Sequence, residues 1–449
     1  MPAERRAGHR FRLDLMENIM KIRGALIAGS VLSLASGTAA ASGFGVSYQS
    51  VSAMGTAYAG SAVLSEDATN QWYNPATLAG LNTAEVSIAA HQVWIDTTFK
   101  ANGASGPGDF EDVEPFVGSV FMAMPFNDRV TFSLGINAPY GTKIEYEDNW
   151  GNALSPTGVP ASGDFYAQTS DVQTININPA VGIQITDNLR LGAGVNYQQI
   201  DADIENAATR LEGDDDAFGW NVGLTYSPDE SNHFGVAYRS EISYDIDGDI
   251  TFKPGAFPAA LPGPIVSQLA GQYSGKTSLD LPAVLQLSYA GDLTDRTQLL
   301  LGVERTDWSS LDRLVIDHTG TQQIPIGPGA TASLPNPAIE EFNWEDTTRY
   351  SAGVRHTLQN DTVLRFGLAK EESTQSSDTR SAISPDSDRI WATIGAGFNP
   401  TDNLSIDVAY AHIFVDDADI YKDGRAPAVL DGTYELDADI IGAQLNYQF

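Results

Sequence analysis

From residue 84 to the C-terminus, apolar and polar positions alternate with a period of two. Over 349–358, Tyr350, Ala352, Val354, His356 and Leu358 share one side, opposite Arg349, Ser351, Gly353 and Arg355. Leu364, Phe366 and Leu368 stand against Arg365, Gly367 and Ala369, and Ile390, Ala392, Ile394, Ala396 and Phe398 stand against Arg389, Trp391, Thr393, Gly395 and Gly397. Leu404, Ile406, Val408, Tyr410 and Phe414 oppose Ser405, Asp407, Ala409 and Ala411. This is the period of β-strands, whose successive side chains point to opposite faces. The second face is mostly Gly, Ser, Thr and Ala, with less charge than the solvated outside of a β-sandwich carries. The apolar face is therefore read as meeting lipid and the other as lining a lumen.

Fourteen such segments are expected, at 84–99, 114–124, 129–146, 170–186, 188–206, 215–228, 231–252, 275–292, 296–317, 344–358, 361–374, 386–399, 403–420 and 432–449. Short, turn-rich connections (125–128, 186–188, 227–231, 291–295, 358–361 and 399–403) alternate with long polar ones (100–113, 147–169, 253–274, 318–343, 372–388 and 415–431). Turns at one end and loops at the other are the arrangement of an outer-membrane barrel. The fold class is thus all-β, a 14-stranded antiparallel transmembrane β-barrel. Ile441, Ala443, Leu445, Tyr447 and Phe449 alternate to a terminal aromatic, resembling the signal by which outer-membrane assembly machinery recognises its clients.

Ser42–Leu81 follows neither the strand nor the helix period. Gly43, Gly45, Gly55 and Gly60, among many Ala and Ser, allow close backbone approach, and Pro75 bends the chain by excluding Asn74 from helical dihedrals. Phe44, Tyr48, Met54, Tyr58, Trp72 and Tyr73 are too many large apolar groups for a solvated linker. The segment reads as a plug inside the barrel.

Residues 1–41 read as a processing segment. Lys21 and Arg23 precede an apolar stretch from Gly24 to Leu34, and Ala39-Ala40-Ala41 forms a small-residue cleavage site, so the mature chain is expected to begin at Ser42. Residues 1–19 read as an upstream-start artefact. The divisions are then 1–41 signal peptide, 42–83 plug and 84–449 barrel. No other apolar run approaches the roughly 20 residues of a spanning helix. The formal charge is -33; losing Arg5, Arg6, Arg10, Arg12, Lys21 and Arg23 with Glu4, Asp14 and Glu17 leaves 19 basic and 55 acidic residues, a net -36. That charge excludes nucleic acid as a partner. With no cysteine, there is no disulfide framework or thiol chemistry. Neither a cofactor nor a metal is expected, and the acidic runs 214–216, 245–249 and 416–419 read as solvated strand ends and loop tips.

Gly55-Thr56-Ala57-Tyr58-Ala59-Gly60, Glu66-Asp67-Ala68 and Asn74-Pro75-Ala76 resemble the N-terminal hatch of the FadL-type outer-membrane transporters of long-chain fatty acids and hydrocarbons. Trp344-Glu345-Asp346-Thr347, Pro385-Asp386-Ser387-Asp388-Arg389 and Tyr410-Ala411-His412-Ile413-Phe414 extend the resemblance through the C-terminal half. It implies passive uptake of a hydrophobic small molecule, with release sideways through a kink in the third strand into the outer-membrane lipid and lipopolysaccharide. Asn137-Ala138-Pro139-Tyr140-Gly141 sits where that kink falls; Pro139 removes a ladder hydrogen bond and Gly141 tolerates the bend, as at any barrel-rim irregularity. The resemblance further implies that Phe44 touches the ligand and that Asn74, Pro75 and Ala76 anchor the far end of the hatch. A departure is the connection at 205–216, short and acidic where the family has a long loop forming an outer groove; the apolar loop 253–274 is the remaining candidate for part of one.

The lumen-facing arginines Arg349, Arg355, Arg365 and Arg389 are candidate counter-charges for a fatty-acid carboxylate. The competing reading is a structural ion-pair network with Asp407, Glu66 and Asp67. An enzyme is not expected: His91, His233, His318, His356 and His412 are scattered and no G-x-S-x-G elbow occurs. A general porin is the other alternative, disfavoured by the aromatic plug. The partners expected are therefore a long-chain fatty acid or, as the alternative, an aromatic or alkane hydrocarbon, on a monomeric barrel.

Overall fold

The period-two stretches form one continuous antiparallel ladder. The structure, a computed structural model, describes residues 42–102, 114–147, 150–151, 153–154, 160–161, 163–423 and 429–449. The expected signal segment 1–41 and parts of three of the expected long loops lie outside the described residues. Strands 1 to 6 are Glu85–Ala101, Phe116–Asn127, Val130–Asn137 continued by Gly141–Glu145, Thr169–Thr186, Leu189–Glu205 and Thr209–Tyr226. Strands 7 to 9 are Asn232–Arg239 continued by Ile242–Phe252, Gly271–Leu281 reaching Val284–Thr294, and Thr297–Thr306 reaching Arg313–His318. Strands 10 to 14 are Thr347–Thr357, Val363–Glu371, Arg389–Thr401, Leu404–Val415 continued by Ala418–Lys422, and Leu430–Gln448. The cylinder closes where strand 1 meets strand 14, from Glu85↔Gln448 to Ala101↔Gly432. In hydrocarbon no water can satisfy a free backbone group, which is why only closed barrels and helices span it. No described helix is long and apolar enough to cross.

The alternation sorts by environment as expected. Phe132, Ile177, Val195, Phe218, Trp220, Tyr350, Leu368, Ile394 and Leu445 are exposed on the outside, while Arg349, Arg365, Trp391, Thr393 and Asp407 are buried inside. One connection differs from its expectation. The loop placed at 205–216 shrinks to Asn206–Ala208, because Thr209 onward continues the ladder through Glu205↔Arg210 and Asp203↔Glu212. Arg210 reaches Asp203 at 2.7 Å and Glu212 at 3.0 Å, so the charges that read as a loop form a cross-strand cluster. The apolar loop 253–274 folds into a turn, Pro254–Ala256, and a helix, Gly263–Leu269, with Leu269 buried.

Within the cylinder, 42–81 forms short helices at Val51–Met54 and Asn70–Tyr73 and a 3-10 helix at Pro75–Gly80. Asn74 is extended (φ -157°, ψ 111°), as Pro75 requires. Its Oδ1 accepts from Ala76 N at 2.9 Å, and its Nδ2 donates to Ala62 O at 2.6 Å and to Leu224 O of strand 6 at 3.1 Å. This docking needs missing side chains on the wall. A Cβ on Gly223 would stand 1.8 Å from Asn74 Oδ1, and one on Gly192 would stand 2.2 Å from the backbone of Pro75.

Gly192→Val or Gly223→Val therefore overpacks the contact, at a cost of about 1–3 kcal/mol, and lifts the hatch from the wall. Single-channel recordings should show openings absent from the parent, approaching the steady conductance of a chain lacking Ser42–Leu81. A silent Gly223→Val barrel would mean the hatch is not seated there.

Candidate functional site

The third strand stops at Asn137 and resumes at Gly141. Its pairing with strand 2 ends at Val120↔Ile136 and with strand 4 resumes at Gly141↔Gln173. Among the described residues, the upper half of strand 3 has no ladder to strand 2. The hatch supplies what the wall lacks. Val46 N donates to Pro139 O at 2.8 Å, Gly141 N to Phe44 O at 2.8 Å, and Gln49 Nε2 to Ala138 O at 2.8 Å. Residues 44–46 thus act as a strand fragment bridged to the break at Gly45↔Tyr140.

Two chambers meet at this level. The one toward the loop end contains about 780 Å³ of empty space including its mouth, and its walls include Val172, Ile200, Leu279, Leu281, Leu314, Ile316 and Phe342. The mid-barrel chamber, about 730 Å³ on the same basis, is more polar and is bounded by Ser42, Trp72, Pro139, Arg239, Glu304, Arg349 and Glu371. Phe44 lines the first, Trp308 the second and Tyr140 both. Their rings pack together: Phe44 lies 4.8 Å from Trp344, Trp344 lies 5.4 Å from Trp308, and Trp308 lies 6.0 Å from Tyr140. Tyr140 Oη also reaches across to donate to Pro282 O of the break in strand 8 at 3.2 Å.

The four arginines singled out from sequence do not offer free charge. Arg349 pairs with Glu304 at 3.0 Å and donates to Ser47 Oγ at 2.9 Å. Arg365 pairs with Asp407 at 2.8 Å and with hatch Glu66 at 3.1 Å. Arg355 pairs with the other oxygen of Glu66, and Arg389 pairs with Asp386. Each of these side chains thus has a carboxylate beside it, the arrangement of the ion-pair network. The carboxylates come from the wall, from the hatch through Glu66 and from the segment before strand 12 through Asp386. A guanidinium buried in a low dielectric is costly without such a partner or full hydrogen bonding. Asp67 differs from expectation too, accepting from Ser52 Oγ at 2.8 Å and Thr69 N at 2.9 Å.

Arg239, which the sequence reading passed over, lies in the mid-barrel chamber and is buried. It donates to Asn196 Oδ1 at 2.6 Å and to Trp72 O, and its guanidinium carbon stands 3.5 Å from the centre of the Trp72 ring. No carboxylate lies within 4.0 Å of it among the described residues. The signal was present in strand 7, where Phe234, Val236 and Tyr238 face lipid, and period two turns Arg239 inward. No group of three or more acidic or histidine side chains among the described residues is arranged to hold a metal.

A closed lipid-facing barrel, a hatch filling its lumen and an apolar chamber leading to a broken wall strand define an outer-membrane transporter of hydrophobic molecules. The chain belongs to the family described as Outer membrane protein transport protein (OMPP1/FadL/TodX), which it matches over residues 32–449. It is 27% identical to the 47 kDa outer membrane protein of Pasteurella multocida, over 97% of this chain and all of that one. It is 24% identical to the long-chain fatty acid transport protein of Escherichia coli K12, over 93% and 97%. In fold it is similar to a FadL homologue from Pseudomonas aeruginosa, with a TM-score of 0.76, 21% identity and coverage of 91% and 100%. It is also similar to the Ralstonia pickettii toluene transporter TbuX, with a TM-score of 0.62, 16% identity and coverage of 90% and 99%. The family is one of outer-membrane transporters, not of enzymes.

Glu66 ties the hatch to strands 10 and 11 at once. Glu66→Gln strips Arg355 of its carboxylate and leaves Arg365 with Asp407 alone, which should destabilise the hatch attachment by about 3 kcal/mol. Circular-dichroism melting together with bilayer conductance checks this; a variant that melts and conducts like the parent would remove the network from the attachment.

Proposed function

We propose that the protein carries a long-chain fatty acid across the outer membrane passively. Arg239 carries this reading. A carboxylate entering a low-dielectric lumen requires a cation, and the other buried arginines beside the chambers are already neutralised. Arg380, which also has no carboxylate within 4.0 Å among the described residues, bonds backbone carbonyls of Asp386 and Asp419 outside both chambers. In the proposed route the tail fills the apolar chamber, gaining roughly 0.8 kcal/mol per buried methylene, with Phe44 in its floor. The head reaches Arg239, and the load leaves sideways at Pro139, Tyr140 and Gly141. Asn74, Pro75 and Ala76 hold the far end of the hatch while its N-terminus shifts.

Uptake of an aromatic or alkane hydrocarbon is the second reading, favoured by the apolar lining of the upper chamber and by the toluene transporters that share the fold. We further propose that the terminal strand ending at Phe449 is the part offered to assembly machinery and that the barrel, with no unpaired seam between its first and last strands, works as a monomer.

Mass spectrometry of lipid extracted from purified protein should find fatty acid. Arg239→Met should weaken oleate binding by ten- to a hundredfold, the range of about 1.5–3 kcal/mol for a hydrogen bond to a charged group, and leave toluene binding unchanged. Equal loss for both ligands would make Arg239 a packing residue and favour the hydrocarbon reading.

The exit is tested separately. Replacing Pro139 and Gly141 together by Val restores an extended strand with its missing N–H, and should lower oleate uptake into vesicles severalfold with binding retained. Undiminished uptake would place the exit elsewhere.

A further inference from the structure

Ser42, the first described residue, is buried with 3% of its surface exposed. Its backbone nitrogen stands 3.4 Å from Glu371 Oε1, and its hydroxyl donates to Glu372 O at 2.5 Å. The other oxygen of Glu371 accepts from Trp391 Nε1 at 2.8 Å. Glu371 is itself buried and lines the mid-barrel chamber. Arg349 and Arg389 stand beside it on the neighbouring strands and act on it from beyond 4.0 Å, but each is engaged by a closer carboxylate, Glu304 and Asp386, so that among the described residues no Lys or Arg nitrogen lies within 4.0 Å of Glu371. One long amide contact, one indole N–H and two guanidiniums shared with other carboxylates compensate a buried negative charge incompletely.

The sequence supplies a cation at this point. Ala39-Ala40-Ala41 ends at the bond to Ser42, and a signal peptidase that hydrolyses it consumes one water, leaving a carboxylate on Ala41 and a primary amine on Ser42. An α-amine is mostly protonated at neutral pH. We propose that the α-ammonium of Ser42 is the counter-ion of Glu371, so that removal of the signal peptide completes the binding chamber. This rests on the proposed reading of that chamber as the site of an anionic head.

The charge balance follows from the contacts. With the ammonium present, Glu304 is paired with Arg349 and Glu371 with Ser42, leaving Arg239 as the charge available to a ligand. Before processing, Glu371 has only the shared influence of Arg349 and Arg389, both held closer by other carboxylates, and its surplus negative charge opposes an anion in the same chamber. The pair also restrains the free end of the hatch. Two residues on, Phe44 lines the upper chamber, and two further Val46 holds Pro139 of the strand 3 break. Gly43, at φ +62°, turns the chain between these points with its Cα against Trp344 and Trp308, where a Cβ would come within 2.8 Å of the Trp344 ring.

Three measurements test this. Intact-mass analysis of protein from outer membranes should give a chain beginning at Ser42. Periodate cleaves an N-terminal serine only when its amine is free, so it reads the exposure of that group directly. Native protein should react slowly and Glu371→Gln about tenfold faster, the change that 1.4 kcal/mol of lost protection produces. Inserting one Ala between Ala41 and Ser42 moves the amine off Glu371 and should weaken oleate binding about tenfold, on the same scale, with toluene binding unaltered. Adding Glu371→Gln to the extended chain should recover oleate binding, which a purely steric defect would not allow. A mature chain starting elsewhere, equal periodate rates, or an extended chain that binds oleate like the parent would overturn the proposal. Should the parent bind no oleate at all, the fatty-acid reading fails, while the mass and periodate results still judge the ion pair.

Discussion

A membrane-spanning backbone cannot leave a hydrogen-bonding group unpaired in hydrocarbon, and most of this structure follows from that constraint. It requires strand 14 to close on strand 1, and it makes a break in any wall strand expensive unless something inside the barrel answers it. At Ala138–Tyr140 the answer comes from the hatch, through Val46 N, Phe44 O and Gln49 Nε2. The wall and the hatch are therefore one hydrogen-bonded object at this point. In the proposed route, opening the wall and moving Phe44 are a single event, because the atoms that free the gap are those that hold the ligand-facing residue in place.

The lumen is filled under a second restriction, that charge in a low dielectric is costly unless it is paired or hydrogen-bonded. Glu66 joins two strands by meeting Arg355 and Arg365 together, and Asp407 shares Arg365 with it. These bonds lie toward the centre of the hatch, whereas residues 43–46 rest on hydrogen bonds and aromatic contacts, with the proposed ion pair at Ser42 beyond them. The parts of the hatch held by internal ion pairs and by backbone hydrogen bonds to the wall are thus separate. Arg239 depends on the docked end of the hatch: its ring partner, Trp72, lies two residues before Asn74, so the position of the cation depends on the hatch being seated.

The barrel was legible in sequence because its cause is local. Period two, turn residues at one end and long loops at the other are written into short windows of chain, and the environment of each face follows from which residues tolerate lipid. The break at Pro139 and the bend at Asn74-Pro75 were legible for the same reason, since proline acts on its own peptide bond and its neighbour's dihedrals. The extent of strand 6 was misread because Arg210, Glu212 and the aspartates after them look like a solvated loop until Asp203 and Glu205 are placed opposite.

The site divides along the same line. Sequence by itself determined that arginines point into the lumen, that a small-residue segment must be enclosed, and that glycines recur on the wall, because side-chain direction and size are properties of single residues. Only the tertiary structure decided which arginines are neutralised, since Arg349, Arg355 and Arg365 meet carboxylates up to about 300 positions away and Arg239 meets none among the described residues. Ion pairing depends on distance through space across a closed cylinder, and no period along the chain encodes that distance.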